Sequence, residues 1–159
     1  VEPAATLIAA LERFNLQLVE QPVASIEDLA KLRCRVEVPL AADECVRSIE
    51  DARRLRSLDA ADMLVVKVQP LGGVRPALDI AEAAGVPVIV SSMIETSVGL
   101  AAGLALAACL PDLPYACGLA TASLLAGDVV TDPLLPEDGW LRVRRPVPDP
   151  ALLHHYAEG

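Results

Sequence analysis

A strand, a loop and a helix recur along this chain at a nearly constant interval, and that interval constrains the fold more than any single motif. The apolar runs "LQLV", "EVPLAA", "DMLVVKV" and "VPVIVSS" lead into or close on the polar residues Glu20, Asp43, Lys67 and Ser91, spaced 23, 24 and 24 residues apart. A fifth short run, "YACG", ends at Gly118, 27 residues further on. Between them lie stretches of helical periodicity: "SIEDLAKLRCR", "SIEDARRLRSL", "GGVRPALDIAEAAG" and "TSVGLAAGLALAACL". A further helix, "PAATLIAALERF", precedes the first strand with Leu7, Ile8, Leu11 and Phe14 at helical spacing. Ser25 is a good N-cap with Asp28 three residues later, and the same Ser-Ile-Glu-Asp opening returns at Ser48. Strands alternating with helices at a fixed period predict parallel βα units, whose strands are covered on both faces and therefore read as continuous apolar runs.

Two α/β architectures compete for such a pattern. Five parallel strands can complete a doubly wound sheet, or they can be staves of an eight-stranded barrel, which needs about 250 residues. No glycine-rich phosphate fingerprint follows the first strand, as a dinucleotide fold would want. The chain also opens on a helix, which reads as entry halfway through a repeat. Part of a barrel is the expectation, with residues 1–127 as the partial barrel and 128–159 as an extended C-terminal tail. That tail includes "GWLRVRRPVPDP" after an Asp138–Gly139 turn, and its small basic cluster of Arg142, Arg144 and Arg145 is expected to pack against other protein.

Composition excludes several classes. The net charge of −9 argues against a general nucleic-acid binder, which needs a basic face. Mean hydropathy is +0.44, yet no apolar run approaches the roughly 18 residues that span a membrane. The opening stretch has no basic region and carries Glu12 within its apolar pattern, so no signal peptide is expected. Cys34, Cys45, Cys109 and Cys117 lack CxxC spacing and the density of a secreted scaffold, and are expected to be reduced, small core residues of a cytoplasmic protein.

In parallel α/β folds the chemistry sits at the carboxyl ends of the strands, where the chain enters the βα loops. Glu20, Asp43 and Lys67 occupy that place on three successive strands. Two carboxylates on neighbouring strands can converge on a hard divalent cation such as Mg²⁺, although a third ligand would be expected from elsewhere. Lys67, within "LVVKV", is a candidate acid or base whose pKa burial would lower and a nearby carboxylate would raise. It can also be an ion-pair partner that merely neutralises Asp43.

The segments "LVEQPV", "PLAADECV", "VVKVQPLGGV", "VPVIVSSMIETSVGLAAGLALAACLP" and "YACGLAT" together resemble the second half of an enolase-superfamily barrel. They are similar to the muconate-lactonizing subgroup, and within it to the o-succinylbenzoate synthase family of menaquinone biosynthesis. The resemblance implies that Glu20 and Asp43 are the second and third Mg²⁺ ligands, from barrel strands four and five. It implies that Lys67 is the sixth-strand lysine, which stabilises an enediolate intermediate by its charge. Ser91, Ser92 and Gly118 resemble positions that contact the carboxylate-bearing tail of a small-molecule substrate, and Gln21 and Glu44 resemble partners that support the ligands. The implied reaction is a dehydration, converting 2-succinyl-6-hydroxy-2,4-cyclohexadiene-1-carboxylate to o-succinylbenzoate.

Departures from the family pattern accompany this resemblance. The family's base comes from a KxK motif on strand two and its first metal ligand from an Asp on strand three. Neither is present, since the only lysines are Lys31 and Lys67. The N-terminal capping domain is missing as well, so this chain alone is expected to be inactive. Cys45 and Met93 stand where relatives often carry Ser and Ala. The absence of a His at the end of the seventh strand argues against the mandelate-racemase subgroup. An N-acylamino acid racemase or dipeptide epimerase of the same subgroup is an alternative reading, and so is a non-catalytic α/β domain. Glu95 reads as a carboxylate favoured near a helix start, or as a substrate contact. "PLGG" reads as a turn or a phosphate loop, and His154 and His155 read as surface residues near a polar end.

Overall fold

The computed structural model describes residues 1–157. In chain order the elements are α1 (Glu2–Leu11), β1 (Val19–Glu20), α2 (Ile26–Arg33), β2 (Leu40–Ala42), α3 (Ile49–Ser57), β3 (Met63–Lys67), α4 (Val74–Ala84), β4 (Val88–Ser91), α5 (Ser97–Cys109) and α6 (Pro150–Ala157). The strands form a four-stranded sheet in the order β1-β2-β3-β4. Pairing is parallel between β1 and β2 and between β2 and β3, with Glu20 opposite Ala41 and Ala41 opposite Met63. Each new strand adds beside the previous one. That order has no reversal, whereas a doubly wound sheet reverses at its switch point, so the sheet has the order of barrel staves.

The chain divides into two compact units. The first comprises Val1–Val66 with Leu78–Ile89, and the second Lys67–Ala77 with the chain from Val90 onward. In the first, Leu29 and Leu32 of α2, Leu40 of β2, Leu55 of α3 and Met63, Leu64 and Val66 of β3 are fully buried. Each such side chain stabilises the unit by about 1.5–3 kcal/mol relative to exposure. In the second, Val90, Leu100, Leu106 and Leu134 play this part around α5.

Local chemistry explains the boundaries. Ser25 and Ser48 are N-caps of α2 and α3, and each side chain accepts an N–H three residues on, from Asp28 and Asp51, at 3.1 Å. Asp51 answers in kind, accepting from the Ser48 hydroxyl at 2.9 Å and the Arg47 N–H at 3.0 Å. β2 starts at Leu40, whose N–H is taken by the Asp62 carboxylate at 2.9 Å, and that carboxylate is held by Arg33 at 2.7 Å. Gly72 and Gly73 both have positive φ and close a turn onto Gln69 and Val68, so "PLGG" is a turn leading into α4.

Several expectations are corrected. The fifth run, "YACG", is no strand: its pairing is one isolated parallel bridge, Ser91 with Gly118. Pro111 and Pro114 precede this run and remove backbone donors, which restricts regular pairing. β1 has only two residues, not the four of "LQLV". Pro150–Ala157 is helical where the pattern reads as extended, with Asp149 accepting the Ala151 N–H at 2.8 Å at its start. The four thiols are free of disulfides, but they are not core residues: Cys34 and Cys109 are exposed, and Cys45 and Cys117 are half-buried. Small size permits burial without requiring it. Of the α1 stripe only Ile8 is buried, while Leu7 and Phe14 are exposed. Spacing identifies an apolar face without showing what covers it.

Candidate active site at the strand ends

The first unit brings two carboxylates to one edge of its sheet. Glu20 is the last residue of β1, and Asp43 directly follows β2. Glu20 lies opposite Ala41, and side chains alternate along a strand. Asp43, two residues past Ala41, therefore has the parity of Glu20, and both belong to one face. Lys67 is the last residue of β3 and falls in the second unit. A one-residue slip in the β1–β2 register would put the two carboxylates on opposite faces.

The two acids differ in exposure. Asp43 is 6% exposed and Glu20 is exposed. The chain leaves β1 through Gln21, a non-glycine residue at φ 39°, and Pro22 follows. The Gln21 N–H extends the ladder to the Ala41 carbonyl at 2.9 Å, while its side-chain oxygen accepts the Asp43 N–H at 2.7 Å. The Asp43 carbonyl accepts the Val46 N–H at 3.0 Å, closing a turn. Glu44 is exposed, and its backbone carbonyl accepts from Arg47 at 3.0 Å. Burial pushes the Cys45 thiol up, against hydrogen bonds that favour the thiolate, the largest from Gln21.

The second unit gathers Ser91, Ser92 and Gly118. Both hydroxyls approach the Gly118 carbonyl, Ser92 at 3.0 Å and Ser91 at 3.4 Å, and the Gly118 N–H donates to Val90 at 2.8 Å. Thr121, not singled out from the sequence, joins them: its hydroxyl lies 3.0 Å from Ser92 Oγ and donates to the Met93 carbonyl at 2.8 Å. Its only signal is its place in "YACGLAT". Glu95 accepts the Met93 N–H at 3.0 Å and also meets the Gln69 side-chain amide. Burial raises its carboxyl pKa, partly offset by the Met93 N–H. It precedes Thr96, the N-cap of α5.

A divalent cation of the hard class takes oxygen donors, and Mg²⁺ is often held by one or two carboxylates together with water or substrate oxygens. Glu20 and Asp43 on one face fit that donor chemistry as a partial set. No group of three or more His, Cys, Asp or Glu side chains able to hold a metal occurs among the described residues. His154 and His155 lie on α6, and His155 makes an edge contact with Tyr156. No helix among the described residues is long and apolar enough to cross a membrane.

Comparison with known proteins gives this geometry a family. The profile described as enolase C-terminal domain-like matches residues 1–149. The o-succinylbenzoate synthase of Thermobifida fusca (strain YX) is 61% identical over 145 residues, covering 91% of this chain and 46% of that protein. The o-succinylbenzoate synthase of Mycolicibacterium smegmatis is 51% identical over 153 residues, covering 96% of this chain and 46% of that protein. Among solved structures, the muconate lactonizing enzyme from Pseudomonas putida superposes with a TM-score of 0.85 at 29% identity, over 96% of this chain and 46% of its own. The chain thus spans about half the length of the relatives it matches. With parallel strands added in sequential order and a profile match along nearly its whole length, the chain belongs to the enolase C-terminal domain-like family, as the C-terminal part of the barrel.

Proposed function

We propose that this chain supplies the C-terminal half of an o-succinylbenzoate synthase barrel. The whole protein would be a Mg²⁺-dependent lyase of menaquinone biosynthesis that dehydrates 2-succinyl-6-hydroxy-2,4-cyclohexadiene-1-carboxylate. The observation that carries the reading is the 61% identity over 145 residues to a protein of that name. In this reading Glu20 and Asp43 provide two oxygen ligands, and Gln21 and Glu44 support them. When bound, the cation would supply Lewis-acid stabilisation of the negative charge that builds on the substrate carboxylate as its neighbouring proton leaves. The Lys67 ammonium adds a fixed positive charge for the same purpose, with the proton transfer made by a base outside this chain. Ser91, Ser92 and Gly118 are assigned to the carboxylate-bearing tail of the substrate. A third metal ligand, the base and the capping domain would come from the remaining part of the protein. A cytoplasmic setting belongs to the same proposal and is supported by four thiols carried free of disulfides.

The test is an assay of the full-length protein with the cyclohexadiene carboxylate and, separately, with N-acylamino acids and dipeptides. Mg²⁺-dependent formation of o-succinylbenzoate is the expected result. Racemisation or epimerisation without dehydration would replace this reading with its subgroup alternative.

A further inference from the structure

The side chain of Gln21 makes contacts that a loop residue after a two-residue strand does not need. Its oxygen accepts the Asp43 N–H at 2.7 Å and the Cys45 N–H at 3.4 Å, while its amide nitrogen donates to the Val23 carbonyl at 2.6 Å. Its backbone N–H meanwhile pairs with Ala41 at 2.9 Å. One residue of the β1 loop thus touches the β2 segment at Ala41, Asp43 and Cys45, on either side of the buried acid. With the Asp43 carbonyl held by Val46, both backbone polar groups of Asp43 are tied. The backbone of Gln21 sits at φ 39°, a region that Gly and Asn enter readily and Gln does not. Strain of this kind persists where the surroundings over-determine the residue. Here the over-determination comes from the hydrogen bonds of the side chain itself.

We infer that Gln21 is a positioning residue: it sets the direction in which Asp43 presents its carboxylate, and so couples the β1 acid, Glu20, to the β2 acid through one amide. This inference rests on the proposed role of Asp43 as a metal ligand. It distinguishes two demands on position 21. The backbone asks for a residue tolerant of positive φ; the site asks for an acceptor long enough to reach the Asp43 N–H. Asn satisfies the first and is one methylene too short for the second. Glu keeps the length and the acceptor but loses the donor to the Val23 carbonyl.

The experiment uses the full-length protein and Mn²⁺ as probe, with binding read by the loss of the free-ion EPR signal and stability by thermal melts. Gln21→Asn relieves the positive φ and gives up the bonds to Asp43 and Cys45, so it is expected to stay folded with a melt close to that of wild type, yet bind Mn²⁺ about tenfold more weakly, the low end of the 10–100-fold typical of groups that orient metal ligands. Gln21→Leu should lose affinity at least as much. Gln21→Glu keeps the acceptor for Asp43 and gives up the donor to Val23, so it should lose less affinity than Gln21→Leu. Wild-type affinity in both Gln21→Asn and Gln21→Leu would overturn the inference, as would a loss in Gln21→Glu equal to that in Gln21→Leu. Asp43→Asn separates the two levels. If it weakens Mn²⁺ binding while the Gln21 variants do not, only the positioning role falls; if it leaves binding unchanged, the metal assignment falls and the positioning role with it.

Discussion

The Ser97 hydroxyl donates to Asp128 Oδ2 across 2.5 Å, and the Ser97 N–H donates to the same oxygen at 2.9 Å. Asp128 thereby caps the first residue of α5 from 31 positions away, where the N-cap Thr96 makes no side-chain capping bond. The negative charge also suits the helix N-terminus. Ser97 is fully buried, and its hydroxyl oxygen accepts the Leu134 N–H at 2.7 Å. Replacing Ser97 with Ala strands the buried Leu134 N–H, while Asp128 Oδ2 keeps only the Ser97 N–H, so Ser97→Ala should lower stability by about 1–3 kcal/mol. Denaturant melts check this, and an unchanged midpoint would mean that water replaces the hydroxyl without cost.

Gly118 is held close to Ser91 by the single bridge that stands where a fifth strand was expected. A Cβ on Gly118 would meet Ser91 Oγ at 2.6 Å and Ser91 Cβ at 3.3 Å. The hydroxyl can swing away, but then it leaves the Gly118 carbonyl. Gly118→Ala should therefore cost about 1 kcal/mol of stability. In the full-length enzyme it should raise KM for the substrate more than it lowers kcat, since the displaced hydroxyl belongs to the proposed tail-binding group. Steady-state kinetics with paired melts test both parts.

Asp62 joins the start of β2 to α2. Burial would raise its pKa, but the Arg33 hydrogen bond, the Leu40 N–H and the guanidinium charge outweigh burial and hold the carboxyl below its ordinary value of 3.8. A carboxyl depressed in the folded state contributes stability above its unfolded pKa and loses it as pH falls through the folded value. Asp62→Asn keeps an acceptor for Leu40 and removes the charge. The gap in melting temperature between wild type and variant should be widest at neutral pH and close as pH drops below about 4. A gap that stays constant down to pH 3 would assign the effect to packing.

How much of this was legible beforehand follows from what each feature depends on. The α2 and α3 caps are local, so Ser25 and Ser48 announce them three residues ahead of their partners. The period of the strand ends survives into the sheet because each βα unit must return the chain to a neighbouring stave. Glu20 and Asp43 share a face because that period and the parallel register agree. The fifth strand reduced to a bridge because "YACG" carries a strand-like run but too little pairing. Gln21 is the harder case. Its positive φ and its reach to the Asp43 N–H depend on residues 22 positions away, which no local pattern encodes. Asp128 and Thr121 escaped for the same reason, since their partners lie 31 and 29 residues distant.

The remaining prediction concerns the strand-end charges themselves. Asp43 is buried and its backbone is tied at both polar groups, whereas Glu20 is exposed at the end of a two-residue strand. A ligand whose backbone is already fixed loses little freedom when it binds, so its removal should cost more than removal of an exposed one. In the full-length protein, Asp43→Asn should weaken Mg²⁺ binding more than Glu20→Gln does, and both should nearly abolish turnover. Lys67→Ala should lower kcat by about two orders of magnitude or more while leaving metal affinity within a few-fold, because its charge acts on the transition state. Isothermal titration with Mg²⁺ and initial rates at saturating metal separate these effects. Equal losses of affinity in the Asp43→Asn and Lys67→Ala proteins would place Lys67 in metal retention instead, and full turnover in Asp43→Asn would remove the carboxylate from the chemistry altogether.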